Sequence, residues 1–385
     1  MTNYKNISLF EGLNSLRFFA AFLVVMHHSE TIRHKNGLPN LNGLGLFKDG
    51  GVAVTFFFVL SGFLITYLLL KENRQTGTIS IKRFYLKRVL RIWPLYFLLV
   101  VFGTLLLPKA IDLFGLNYVM PYTFSQSWYY FVFFLPGLVT YYFGHHLLEP
   151  LWSIGIEEVF YMLWAPLFKF AKKHILPILI AIIVLKALLI LISSYWIDNK
   201  LFAYLVSIFQ FEAMAVGGLG AYFVFNRNTP LSTLKIYKTP VQILLYSLLV
   251  VYLIFNINID NAAWNIFFKT PVFSQLMICF LFLYLIIGVS LIDHSIIRLR
   301  NRFLSYLGEI SYGIYMYHMP LIFGLMMFLQ KYLSKMDLLT GSLIYYPVVF
   351  VVVVGVSALS KRYFEDYFLS LKNKISIPKA VTAKK

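Results

Sequence analysis

The sequence predicts an all-α polytopic membrane protein of about ten transmembrane helices, and three observations carry that expectation. Of its 385 residues 59% are hydrophobic and only 13% charged, with a mean hydropathy of +0.74, whereas a soluble domain is about half apolar and about a quarter charged. Apolar runs near or above the roughly 18-residue spanning threshold recur at about 13–30, 51–70, 92–107, 150–168, 175–194, 201–225, 240–256, 271–292, 303–329 and 338–359. Most of the 34 basic residues fall in alternate connections: around Lys5, then Lys71 to Arg91, Lys169 to Lys173, Arg227 to Lys238, Arg298 to Arg302 and Lys361 to Lys385. The positive-inside rule then places both termini in the cytoplasm. The net charge of +18 is thus a topology signal, and its spread over many short loops makes nucleic acid an unfavoured partner.

The first ten residues are polar and the first run lacks a small-residue cleavage site, so helix one is expected to stay in the protein rather than to be removed as a signal peptide. Of the ionisable residues in that run, Arg17 and His28 form the pair that matters. Eleven positions at about 100° each return to nearly the same face, about 16 Å along the axis. Intramembrane charge is costly enough to read as functional, although snorkelling of Arg17 and an interfacial His28 would also account for it. His27 points elsewhere and is expected to pack or orient. In the second run, Ser61 could be a nucleophile, but the Ser61-Gly62 pair reads more readily as close helix packing.

The basic connection ahead of the third run ends in Arg88 and Arg91, spaced i, i+3 on one face. Two guanidinium groups at a membrane edge suit phosphate oxygens. An aromatic stretch at 128–143, interrupted by Pro136-Gly137, would invert every later loop if it crossed, and is expected to be re-entrant or interfacial on the outer side. The fourth run opens with Trp152 and carries Glu157 and Glu158. Adjacent carboxylates diverge on a helix, so at most one can orient an imidazole. Lys186 and Glu212 lie deep in runs five and six and could pair. Run nine offers Glu309, Ser311, Tyr312, Tyr315 and His318 within an apolar span. Interhelical hydrogen bonding is the stronger reading for the tyrosines, and structural and site roles weigh evenly for His318.

The single Cys279 sits mid-span as a packing residue, and the eight histidines show no metal-ligand spacing. Residues 1–370 read as one transmembrane domain, and 371–385 as a basic, disordered cytoplasmic tail.

Together these stretches resemble the acyltransferase-3 family of bacterial membrane O-acyltransferases. The Arg-x10-His signature is met by Arg17 and His28, and Arg-x-x-Arg by Arg88 and Arg91. Phe57 to Leu64, Trp152 to Tyr161 and Ile310 to His318 match three further runs in order. The resemblance implies transfer of an acyl group, usually acetyl from cytoplasmic acetyl-CoA, to a hydroxyl of an envelope carbohydrate or glycolipid, in the bacterial cytoplasmic membrane. It also implies a stand-alone form without the C-terminal SGNH domain of some relatives, and raises a separate envelope protein as a partner that finishes the transfer. Acyl-CoA is then a substrate, with no permanently bound cofactor. His28 would act as general base or transient acyl carrier, Arg17 would line the donor path, Glu157 or Glu158 would orient His28, and Arg88 with Arg91 would hold phosphates. Ser61, Trp152, Tyr315 and His318 are candidate lining residues. A transporter of a lipid-linked glycan is the alternative, since intramembrane ionisable groups also line cargo paths.

Overall fold

The computed structural model describes residues 4–115, 118–255 and 270–373. In chain order the helices are α1 (Leu13–Lys35), α2 (Gly45–Lys48), α3 (Gly50–Thr76), α4 (Ile81–Val101), α5 (Leu107–Phe114), α6 (Phe124–Val132), α7 (Pro136–Phe143), α8 (Leu151–Phe170) and α9 (Ile175–Tyr195). They continue as α10 (Lys200–Ile208), α11 (Phe211–Asn226), α12 (Thr239–Phe255), α13 (Pro271–Leu291), α14 (Arg302–Glu309), α15 (Ser311–Leu333), α16 (Leu338–Ser360) and α17 (Asp366–Asn373). No strand occurs among the described residues. Beyond Asn373 the expected tail lies outside them.

Helices fall at all ten apolar runs, and among the described residues seven helical stretches are long and apolar enough to cross a membrane: Gly50–Thr76, Ile81–Phe114, Lys172–Tyr195, Lys200–Asn226, Pro271–Leu291, Ser311–Leu333 and Leu338–Leu371. Thr239–Ile254 is apolar but shorter. The first and fourth runs, in α1 and α8, carry the polar residues that drew notice in the sequence, and that polarity keeps them below the apolarity of the seven. The aromatic stretch forms two helices of nine and eight residues. At about 1.5 Å per residue each is roughly 12–14 Å long, too short to cross a core of about 30 Å. Between them Phe134 takes a left-handed φ of 57°.

Two runs expected to be continuous are broken. Run nine divides at Ile310 into α14 and α15, where Gly308 lies so close to α1 that a Cβ would stand 1.8 Å from the Asn14 carbonyl oxygen. The Ser311 hydroxyl donates to the Gly308 carbonyl at 2.7 Å and closes the turn. Run six divides at Phe209-Gln210 into α10 and α11. Backbone groups freed inside an apolar layer need partners, and here Lys186 supplies them, its ammonium donating to the carbonyls of Val206 and, at 2.7 Å, Phe209.

The chain forms two compact units, Met1–Tyr67 with Leu176–Ser357, and Leu68–Ile175 with Ala358–Lys385. In the first, α1 packs on α14 and α15, and α11 on α13. The Ser61-Gly62 pair belongs to the crossing of α3 and α11: a Cβ on Gly62 would lie 1.9 Å from the Met214 oxygen, and one on Gly217 1.9 Å from the Val59 oxygen. Small residues let helix backbones meet this closely. In the second unit α4 packs on α8 and α17, and α7 on α8. Ser80 caps α4 by accepting from the Arg83 amide, while the Arg83 guanidinium meets Glu72 at 2.6 Å.

The connection from α7 to α8 is ordered around His146, which is buried. Its Nδ1 accepts from the Leu148 amide at 3.2 Å, which leaves Nε2–H to donate to the Thr140 hydroxyl at 3.2 Å. Burial pushes its pKa down to about 3, so the ring is neutral near neutral pH.

Candidate active site

The first unit brings together two signatures that the sequence keeps about 290 residues apart. His28 on α1 and His318 on α15 face each other with ring centres 5.0 Å apart and planes at 37°. His27 lies on the other side of His28, at 4.9 Å between centres. That ring is tied by an Nδ1–H donated to the Phe47 carbonyl at 2.7 Å, and Gly50 leaves no room behind it, since a Cβ there would touch its Cδ2 at 2.7 Å. No group of three or more His, Cys, Asp or Glu among the described residues is arranged to hold a metal.

His318 is fully buried. Its Nδ1 lies 2.5 Å from the Tyr315 carbonyl oxygen. A carbonyl only accepts, so Nδ1 carries the proton and a neutral ring keeps its lone pair on Nε2. That Nε2 is buried and has no hydrogen-bond partner among the described residues. Tyr315, itself buried, packs against His318 at 5.7 Å and Phe57 at 6.0 Å between ring centres. Arg17 and His28 are partly buried on the unbroken α1, so the roughly 16 Å rise between them holds. Glu309, expected inside an apolar span, is instead exposed at the end of α14, because the break at Ile310 takes it out of the spanning helix.

A second charged group in this unit draws no notice in the sequence. Glu30 and Arg33, both buried, pair at 2.8 Å. Glu30 also accepts from the Leu41 amide and the Tyr346 hydroxyl, and Arg33 donates to Ser342 at 3.0 Å and lies 5.5 Å from the Tyr345 ring centre. The only sequence signal was an opposite-charge pair at i, i+3. The arrangement ties the end of α1 to α16 and to the connection before α2.

The second unit holds the other signatures. Arg88 on α4 lies against the rings of Phe84 and Tyr161, each 5.6 Å from the guanidinium carbon, and its Nε has no hydrogen-bond partner among the described residues. Tyr161 donates to Glu157 at 3.0 Å. Glu158 is buried and accepts from the Trp93 indole at 2.8 Å through Oε2. Its Oε1 has no such partner among the described residues. Glu157 and Glu158 therefore diverge as helix geometry requires, one towards Tyr161 and one towards Trp93. Arg91 and Trp152 are partly buried.

Such an arrangement offers two facing imidazoles, a residue type able to pass a proton, and separately a guanidinium on an aromatic platform able to meet an anion. Comparison with known proteins bears on what the parts serve. A Staphylococcus aureus protein provisionally named an O-acetyltransferase is 27% identical over 353 residues, which is 83% of this chain and 52% of that protein. Peptidoglycan O-acetyltransferase OatA of Listeria monocytogenes is 26% identical over 331 residues, 81% of this chain and 49% of its own. A Bacillus subtilis protein, YrhL, provisionally named a peptidoglycan O-acetyltransferase, is 26% identical over 331 residues, 81% of this chain and 48% of its own. The chain thus spans about half the length of the curated relatives it matches. No solved structure matches it. The family model described as an acyltransferase domain matches residues 10–362, almost the whole sequence and every signature above, so the chain belongs to the acyltransferase-3 family.

Proposed function

We propose that the chain is a membrane O-acyltransferase that takes an acyl group, acetyl in the simplest case, from cytoplasmic acyl-CoA and passes it to a hydroxyl of an envelope carbohydrate. The observation that carries this reading is the contact of His28 with His318, inside a chain whose family match runs from residue 10 to residue 362. Proton removal from a hydroxyl needs a neutral imidazole held in one orientation. The names of the Listeria and Bacillus relatives support peptidoglycan as the acceptor.

In this reading all ten helical stretches cross the cytoplasmic membrane of a bacterium and both termini face the cytoplasm, as the basic loops favour. His28 takes the proton of the acceptor hydroxyl, Arg17 lines the donor path along α1, and Arg88 with Arg91 receives the donor phosphates. Glu157, Glu158 and Trp152 complete the second unit's share. A separate envelope protein is the partner wherever the acyl group has to travel beyond the membrane surface.

Transport is the less supported reading. Broken helices are a mark of carriers, whose freed carbonyls and helix ends hold cargo ions. Here the two breaks are closed by Lys186 and Ser311 of the same unit, which takes up the carbonyls a cargo would use. The test is mass spectrometry of envelope glycans from cells with and without the gene: loss of an O-acyl ester with glycan amount unchanged is expected, and loss of the glycan itself without loss of esters refutes the reading.

A further inference from the structure

We propose that His318 is a positioning residue for His28, fixing which nitrogen of His28 is unprotonated. This inference rests on the assignment of His28 as general base and deepens it.

The argument starts from a lone pair. Since Nδ1 of His318 must donate to the Tyr315 carbonyl, Nε2 of the neutral ring can only accept. It is buried without a hydrogen-bond partner among the described residues, and leaving a buried acceptor unpaired is costly. The nearest ring able to answer is His28, at 5.0 Å between centres. An in-line N–H···N contact of about 2.9 Å between two imidazoles sets their centres on the order of 5 Å apart. A small rotation of either ring therefore makes the bond. When His28 donates one N–H to His318, its other nitrogen is the unprotonated one, which carries the lone pair that can take a proton.

The consequence is a catalytic cycle that balances. The acceptor O–H gives its proton to the unprotonated nitrogen of His28 while the acceptor oxygen attacks the thioester carbonyl. The new C–O bond forms, the C–S bond breaks, and the proton passes from His28 to the departing thiolate. His28 is an imidazolium only in between, and during that interval the N–H···Nε2 bond to His318 is charge-assisted. His318 never touches the acyl group. It acts through His28, in the way a carboxylate orients the histidine of a hydrolase triad.

The test uses the full chain in lipid nanodiscs with labelled acetyl-CoA and an envelope glycan. His318→Leu is expected to lower kcat about tenfold or more with the KM for acetyl-CoA unchanged, and His318→Gln, whose amide oxygen supplies an acceptor in place of Nε2, is expected to recover most of the rate. A His318→Leu protein with wild-type kcat, made beside an inactive His28→Ala protein, overturns this inference and leaves the function standing. An active His28→Ala protein overturns this inference together with the assignment of His28 as general base, while the transfer itself still marks the chain as an O-acyltransferase. A second measurement needs no variant: nitrogen-15 NMR of histidine-labelled wild-type protein should show His318 protonated on Nδ1 and bare on Nε2, and the opposite tautomer overturns the proposal.

Discussion

Two buried polar clusters of the first unit differ in what faces the acceptor that each leaves without a hydrogen bond. At the break between α10 and α11, the Lys186 ammonium meets the carbonyls of Val206 and Phe209 and stands 3.5 Å from Glu212. Glu212 accepts in turn from Gln275 at 3.0 Å through Oε1, and Gln210 from Thr55 at 2.7 Å, while Glu212 Oε2 has no hydrogen-bond partner among the described residues and faces the Lys186 ammonium instead. In the His28–His318 pair, Nδ1 of His318 is pinned and its Nε2 has no hydrogen-bond partner among the described residues, with a second imidazole rather than a cation beside the ring. Buried polar groups are normally satisfied. A cluster built on an ion pair holds a broken helix in place, and two facing imidazoles have the chemistry to exchange a proton. Cost alone would not separate them, because both are expensive in an apolar layer.

The sharpest way to break that contrast is Lys186→Met. Removing one partner of a buried pair leaves the other uncompensated, so stability should fall by roughly 3–5 kcal/mol, read as a lower Tm in detergent, while kcat of the protein that remains folded stays within about twofold of wild type. A normal Tm with lost turnover would make Lys186 part of the chemistry and erase the distinction. Next is Gly62→Ala, where the added methyl meets the Met214 backbone and the helices must separate. A loss of about 1–3 kcal/mol is expected, and an unchanged Tm would show that α3 and α11 do not cross as described.

In the second unit, alanine at both Arg88 and Arg91 should raise the KM for acyl-CoA about tenfold, the scale of losing charge-assisted bonds; titration of acyl-CoA binding checks it, and unchanged affinity refutes the phosphate role. The smallest effect concerns His146, outside the spans. Its pKa is depressed to about 3 from 6.5, so the unfolded chain binds the proton first. The stability contribution is present above pH 6.5 and is lost as pH falls towards 3, with less than about 1 kcal/mol gone by pH 6. His146→Gln should flatten that slope, and an unaltered slope would place its origin elsewhere.

The helical stretches were legible because apolarity over some twenty residues needs no tertiary knowledge. The breaks at Ile310 and Phe209-Gln210 were not, since they depend on which backbone a glycine meets and which distant lysine caps a helix end. Residue by residue, Ser61-Gly62 read as packing from small size alone, and the geometry of Gly62 gives the reason. For His318 the sequence left structural and site roles balanced; the unprotonated Nε2 could not be seen without the Tyr315 carbonyl that pins Nδ1. Glu30 and Arg33 were hidden because they lie at the end of the apolar run and just past it, where charge looks like the end of a span rather than a tie to Tyr346.

The central claim, that the facing histidine pair is where a hydroxyl loses its proton to an acyl thioester reaction, is tested most directly with purified protein, labelled acetyl-CoA and an envelope glycan. Wild-type protein should move label into an alkali-labile ester on the glycan, and His28→Ala, folded with a normal Tm, should do so at least about 100-fold more slowly. Label transfer at the wild-type rate by His28→Ala would contradict the account.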